Sequence, residues 1–252
     1  MLSTKIQATV NKLLAPGYRF NQRLRYLLPG ECLLCACPVK TAEDLCPACR
    51  QELPYNADCC RQCSQPLDLI SHSPLLCKNC QQQPPAFDQL LAPLKYEPPW
   101  DRLLLAFKTR GQRTAGGLLV DLLRQELENR LIRQDWDALV VLPAQKNHQH
   151  QRSLHAPTWL GRRLAWSWQL PFRPQLLQRR KNRSSQQGLD RKKRWKNPKG
   201  AFQASKDVEG LRLLLVDDVA TTGASCHWAA QELKDRGALA VTAIAAARTP
   251  RF

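Results

Sequence analysis

Leu213-Leu214-Leu215-Val216-Asp217-Asp218-Val219-Ala220-Thr221-Thr222-Gly223-Ala224-Ser225 is the stretch on which the reading of the fold turns. Four apolar residues run directly into two carboxylates, and a short hydroxyl-and-glycine loop follows before a helical pattern begins. A brief apolar run bounded by turn residues is the signature of a strand buried on both faces. The start of a helix exposes backbone N–H groups and the positive end of the helix dipole, so such a loop forms an anion site. Gly223 permits close backbone approach, and Thr221, Thr222 and Ser225 offer hydroxyl donors, with Val219, Ala220 and Ala224 completing the loop. Two acids beside a phosphate cradle would be repelled by the phosphate itself. They fit a ligand that also carries neutral hydroxyls, because carboxylates accept hydrogen bonds from hydroxyls well. A ribose 5-phosphate moiety has that layout, with a phosphate at one end and a vicinal diol further along.

Two other readings of the stretch compete. An apolar strand ending in Asp-Asp also looks like a Walker B strand, but the chain contains no GxxxxGK[ST], which argues against an NTPase. A plain strand end with a capped helix explains Thr222 or Ser225 as cap residues. It does not explain two consecutive acids after a buried strand.

Outward from this point, apolar strand-like runs alternate with helical periodicity. Trp100, Leu103, Leu104 and Phe107 fall at helical spacing, and 118–131 holds a second amphipathic run. The run 137–143 (DALVVLP) reads as a short strand stopped by proline, and 157–170 reads as a helix. The order continues with a strand at 211–216, a helix at 223–236 and a last strand at 238–246. This alternation predicts an α/β domain over 84–252 with a mostly parallel sheet flanked by helices.

The N-terminal third is different. Ten of the eleven cysteines lie between Cys32 and Cys80, leaving only Cys226 outside. Eight form CxxC pairs: Cys32/Cys35, Cys46/Cys49, Cys60/Cys63 and Cys77/Cys80. A CxxC knuckle lets two thiolates reach one tetrahedral ion, and a second knuckle closes a four-thiolate shell. Two such sets in tandem predict a double zinc ribbon over 27–83, compact because the gaps between pairs are short, with two structural Zn²⁺ ions. Four thiolates per ion leave no open position for water or substrate, so the zinc is expected to hold the fold rather than do chemistry. Disulfides are disfavoured by the lack of a secretion signal. Spacing leaves an interleaved arrangement open, with Cys32/Cys35 sharing an ion with Cys60/Cys63. Cys37 and Cys59 are left over, as substitute ligands or as buried thiols. Residues 1–26 are expected to be a helical extension, and Gln81-Gln82-Gln83-Pro84-Pro85 a linker.

The chain has 252 residues, 43% of them hydrophobic, enough for a core and against wholesale disorder. No apolar run has transmembrane or signal-peptide length, so a cytoplasmic protein without membrane insertion is expected. Lys+Arg number 38 against 21 Asp+Glu, a formal charge of +17, which favours polyanionic partners. Residues 171–200 carry eleven basic residues against the single acid Asp190, together with Trp195. Arg179, Arg180, Lys181, Arg183, Arg191, Lys192, Lys193, Arg194 and Lys196 are the candidate contacts for single-stranded DNA, through phosphate pairing and base stacking. A solvated loop touching nothing is the competing reading of the same charge.

Taken in order, these motifs resemble the ComF family, including its GntX-like members. The acids and the loop after them resemble the phosphoribosyl pyrophosphate (PRPP) loop of type I phosphoribosyltransferases. The resemblance also covers LLPGECLLC leading into the ribbons, Phe107-Lys108, Gln186, and Arg191, Arg194 and Asn197 before Gly200-Ala201-Phe202. It extends to Gly237-Ala238 and the strand ending in Ala247-Arg248. It implies that Asp217 and Asp218 contact ribose hydroxyls of PRPP, with residues 220–225 around the 5-phosphate and Mg²⁺ arriving on the pyrophosphate. It implies displacement of pyrophosphate from ribose C1, and a place in DNA uptake, competence or use of DNA as a nutrient. Single-stranded DNA and DNA-uptake or helicase machinery are the partners that follow.

The sequence departs from that pattern in one loop. Family members carry Pro-Val-Pro and then an arginine-rich loop, where this chain has Leu142-Pro143-Ala144, QKNHQHQ and Arg152-Ser153-Leu154-His155-Ala156. Only Pro143 and Arg152 survive. His148, His150 and His155 read more simply as weakened phosphate contacts than as a metal site. The departure leaves open a non-catalytic nucleic-acid-binding adaptor with a vestigial PRPP site as the alternative function.

Overall fold

The computed structural model of the chain describes residues 30–39, 44–67, 75–131, 134–144, 155–180 and 198–250. The cysteine-rich segment holds the short strands β1 (Gly30–Glu31) and β2 (Pro38–Val39) and the one-turn helices α1 (Pro47–Gln51) and α2 (Lys78–Gln82). Beyond it come β3 (Gln89–Leu91), α3 (Trp100–Arg110), α4 (Arg113–Leu131), β4 (Ala138–Val141) and α5 (Ala156–Ser167). The chain continues through β5 (Leu177–Arg179), β6 (Phe202–Ala204), β7 (Arg212–Ala220), α6 (Ala224–Asp235) and β8 (Ala240–Arg248).

Four strands form one sheet in the order β3-β8-β7-β4, and every neighbouring pair is parallel. This is the expected α/β architecture: a parallel sheet flanked by helices, preceded by a cysteine-rich module. Strand β7 lies between two partners, which explains why its sequence is a continuous apolar run rather than an alternation. Its side chains divide between two layers. Leu214 and Val216 pack with α3, α4 and α5, whereas Leu213 and Leu215 pack with Cys226, Ala229, Ala230 and Leu233 of α6. All four strand residues are fully buried, and each such side chain contributes roughly 1.5–3 kcal/mol through the hydrophobic effect.

Strand β7 is longer than its apolar run suggests. It continues through both acids to Ala220, paired with β8 from Arg212↔Ala240 to Ala220↔Arg248. The long partner strand holds the pairing past the point where hydrophobicity stops. Helix α5 lies close over β4: a Cβ on Gly161 would sit 2.5 Å from Val141 Cγ1, so only glycine permits this approach. That contact brings the N-terminal end of α5 to the edge where β7 ends.

The cysteine-rich segment shares the core of the α/β domain. Cys32, Val39, Leu45, Cys46 and Leu53 join the α3–α5 layer, and Cys60, Cys63, Cys77, Cys80 and Phe87 join the α6 layer. Among the described residues no helix is long and apolar enough to cross a membrane.

Candidate functional site

Because β4, β7 and β8 run parallel, their C-terminal ends share one edge of the sheet, where open α/β sheets bind ligands. Asp217 and Asp218 stand on that edge in consecutive strand positions, and consecutive positions face opposite sides. Their partners follow that rule. Asp217 Oδ2 lies 3.9 Å from Cys226 Sγ, on the α6 side. Asp218 Oδ2 lies 2.9 Å from Lys108 Nζ, near the end of α3. Each carboxylate also accepts a backbone N–H from the next residue, Asp218 N to Asp217 Oδ1 at 2.8 Å and Val219 N to Asp218 Oδ1 at 2.7 Å.

Burial, and then the charge of Asp218, push the Asp217 carboxyl well above the ordinary carboxylate range, against a smaller pull from Lys108. Burial likewise pushes the Cys226 thiol well up, aided by Asp217. Burial thus favours the neutral forms of these two groups on one side of the strand, while an ion pair occupies the other side. His155 precedes α5, with Nδ1 2.6 Å from Thr158 Oγ1. Burial holds its imidazole below the usual range, opposed by the Asp218 charge.

Beyond Ala220 the loop is short. Thr221 is exposed, Thr222 Oγ1 accepts the Ala224 N–H at 3.2 Å, and Gly223 takes φ 79° and ψ 1° at the start of α6. That left-handed conformation costs a residue with a Cβ roughly 1–2 kcal/mol. Gly223 brings no side chain to cap the helix, so the N–H groups of Ser225 and Cys226 in the first turn lack intrahelical acceptors. Hydroxyls, first-turn N–H groups and the helix dipole converge on a space of anion-binding character. Beneath the loop lies the fully buried Arg248, whose Nη1 donates to the carbonyls of Ala220, at 2.6 Å, and Thr221.

The sequence placed Asp217, Asp218 and residues 219–225 together, and all lie on this edge. It did not name Lys108, Arg248 or Cys226 as site residues. Lys108 and Arg248 stood only as motif positions and Cys226 as the cysteine outside the ribbons. An α/β reading that traced which strand ends share an edge would have found Arg248, because β8 neighbours β7. The loop 145–154, with His148, His150 and Arg152, lies outside the described residues.

The eight CxxC cysteines gather into two groups: Cys32, Cys35, Cys46 and Cys49, and Cys60, Cys63, Cys77 and Cys80. Within each group the sulfurs lie within 4.8 Å of one another. Cys35 and Cys46 Sγ are 3.8 Å apart, and Cys63 and Cys77 Sγ are 3.6 Å apart. Four thiolates about 2.3 Å from one Zn²⁺ would be separated by roughly 3.8 Å, so both groups fit a tetrahedral ion. These are two zinc-ribbon sites with structural zinc as the fitting ion, and the pairing is sequential rather than interleaved. Cys37 belongs to neither shell but stands beside Cys35 and Cys46, whose side chains push its thiol up to about 12. Cys59 is also outside both shells, its thiol raised chiefly by burial.

Of the basic candidates, Arg179 ends β5, which pairs antiparallel with β6, and Arg180 follows it. Arg180 Nε donates to the Phe202 carbonyl at 2.9 Å, and its Nη2 lies 3.6 Å from Glu232 of α6. Arg179 lies 5.6 Å from the Phe202 ring centroid. Both therefore fasten the base of a hairpin. Lys181, Arg183, Arg191, Lys192, Lys193, Arg194 and Lys196 lie outside the described residues, as do Gln186, Trp195 and Asn197.

Comparison with known proteins bears on most of the chain. Residues 23–83 match the double zinc ribbon domain family. The DNA utilization protein YhgH of Salmonella typhimurium is 30% identical over 226 residues, covering 88% of this chain and 98% of its own length. The chain belongs to the ComF/YhgH family. Competence protein F of Haemophilus influenzae, another ComF/YhgH relative, is 26% identical over 217 residues, spanning 82% of this chain and 91% of that protein. Among solved structures, adenine phosphoribosyltransferase from Thermoanaerobacter pseudethanolicus overlays with a TM-score of 0.36. It is 15% identical and covers 56% of this chain and 83% of its own.

Proposed function

We propose that this ComF/YhgH-family chain binds PRPP at the β7–α6 edge and serves in the uptake or use of DNA. The observation that carries the reading is the sequence of groups along that edge. Two acids stand near the end of a central strand, and Thr221, Thr222 and the left-handed Gly223 lead into a helix start whose N-cap brings no side chain. In this reading residues 220–225 grip the 5-phosphate. Asp218 accepts from a ribose hydroxyl once Lys108 shares or releases it. Asp217, whose carboxyl burial biases toward its protonated form, stands beside it as a second partner for a ribose hydroxyl. The described residues hold two adjacent carboxylates here and no closed oxygen cage, a donor set that fits Mg²⁺ carried in by the pyrophosphate. When bound, that ion would neutralise pyrophosphate charge. The chain's own part is to fix the ribose and its 5-phosphate so that C1 faces an acceptor, which is catalysis by positioning.

The DNA role rests on the names of the relatives and on the basic residues between β5 and β6. The test of the PRPP reading is calorimetric titration of PRPP with magnesium against the full-length protein and against Asp217→Asn/Asp218→Asn. Binding by the first and none by the second supports the reading. No binding by folded, zinc-loaded wild type overturns it and leaves the nucleic-acid adaptor as the better account.

A further inference from the structure

Arg248 is a fully buried cation that joins two parts of the protein far apart in sequence. Its Nη1 donates to the carbonyls of Ala220 and Thr221, the two residues that turn the chain from β7 into the anion loop. Its Nε donates at 3.0 Å to the carbonyl of Cys63, a ligand of the second cysteine cluster. One rigid guanidinium thus spans a metal knuckle and the floor of the candidate phosphate loop.

The backbone at both ends is fixed. Arg248 N donates to the Leu94 carbonyl at 2.8 Å, and its own carbonyl accepts from Tyr96 N at 2.8 Å. At the knuckle, Cys60 N donates to the Gln65 carbonyl and Ser64 N to the Cys60 carbonyl, a turn in which Ser64 takes φ 51°. Ser64 Oγ then donates to the Leu90 carbonyl at 2.6 Å and accepts from Ala92 N at 3.2 Å, pinning the knuckle to β3. The orientation of the Cys63 carbonyl is set by this turn, and the turn is set by whether Cys60 and Cys63 converge on one ion. Four thiolates around Zn²⁺ also carry a net charge of −2, which favours a guanidinium beside the knuckle. The first cluster has a different neighbour: Arg50, following its Cys49, bonds Gln125 on α4 at 2.9 Å.

We propose that Arg248 is a positioning residue through which metal loading of the second cluster, and not of the first, holds the anion loop in its binding shape. Losing the ion releases the Cys60–Cys63 turn, the Cys63 carbonyl moves off Nε, and the guanidinium no longer fixes the Ala220 and Thr221 carbonyls. The N–H groups of the loop then lose their common aim. The link to phosphate affinity rests on the PRPP reading above, whereas the link between cluster and loop does not.

The experiment uses full-length protein, elemental analysis for zinc and amide hydrogen exchange. Cys77→Ser/Cys80→Ser empties the second cluster while leaving Cys63 in place, and Cys46→Ser/Cys49→Ser empties the first. Exchange across residues 220–226 is expected to quicken about tenfold or more in the second-cluster variant and less than about twofold in the first, with β4 still protected. Unchanged loop exchange in the second-cluster variant, or equal loss in both, overturns the proposal. Arg248→Met, with both ions retained, is expected to reproduce the loop exposure, and retained protection there also overturns it. If either cysteine variant loses protection throughout the core, Arg248→Met decides alone, and Arg248→Lys, which reaches fewer carbonyls, should show a smaller effect. PRPP affinity of the wild type is measured separately. Its absence sinks the PRPP reading without touching the exchange result, and its presence adds the expectation of about tenfold weaker binding in the second-cluster variant.

Discussion

Lys108 Nζ meets Asp218 Oδ2 at 2.9 Å across about 110 residues of sequence, with side chains only 24% and 15% exposed. On the proposed PRPP reading, the acid must be free for a sugar hydroxyl, and Lys108 would then be its resting partner in the ligand-free protein. Being partly buried, the pair should be worth more than an open surface pair, on the order of 1 kcal/mol. Lys108→Met, Asp218→Asn and the double variant form a cycle in denaturant unfolding, and a coupling energy of about that size is expected. Additive effects would mean that the contact contributes nothing to stability.

Asp217 makes an opposite prediction. Its carboxyl is raised by burial and by Asp218, so the folded protein keeps a proton that the unfolded chain releases above about pH 4. A raised acid gives stability that falls as pH rises through the folded value, where the buried group must ionise. Asn has no such proton to lose. Asp217→Asn is therefore expected to raise the melting temperature of the ligand-free protein by a few degrees, and by more at pH 8 than near pH 4. The same variant should weaken PRPP binding. A variant less stable than wild type at pH 8 would show that the acid is held by interactions favouring its charged form.

Zinc content tests the ribbon assignment independently of the ligand. Purified protein is expected to hold about two Zn²⁺ per chain, and Cys60→Ser/Cys63→Ser about one. Both clusters contribute buried residues to the layers of the α/β domain. A strong chelator should therefore lower the melting temperature of the whole protein rather than melt a separate module. One ion or none in wild type would remove one or both sites.

The parts of this structure that were legible in sequence are those set by local pattern. The apolar run of β7, the CxxC spacing and the helical periodicity around Phe107 each encode their own element. The end of β7 was not legible, because Asp217 and Asp218 remain in the strand only through pairing with β8, and β8 is distant in sequence. The short strands β5 and β6 carry too few residues for periodicity to register, and they exist because each completes the other. Lys108 and Arg248 reach the site through topology. One arrives from the last turn of α3, the other as the last residue of a neighbouring strand. CxxC spacing allowed two pairings, and it was the three-dimensional placement of Cys46 beside Cys35, and of Cys77 beside Cys63, that chose between them.

The basic residues between β5 and β6 separate the DNA reading from simple surface charge. Arg179 and Arg180 are already engaged with Phe202 and Glu232, so phosphate contacts would fall to the remaining seven of the nine candidates. If about six of those meet phosphates of single-stranded DNA, log K should fall against log salt with a slope of roughly −4. Replacing Arg191, Lys192, Lys193 and Arg194 by Gln should flatten the slope by roughly 3 units while leaving zinc content and melting temperature unchanged. Fluorescence anisotropy of a labelled oligonucleotide across a salt series reads both. A slope near zero in the wild type would mean that this charge is solvated surface. A steep slope that survives the four substitutions would place the DNA on another face of the protein.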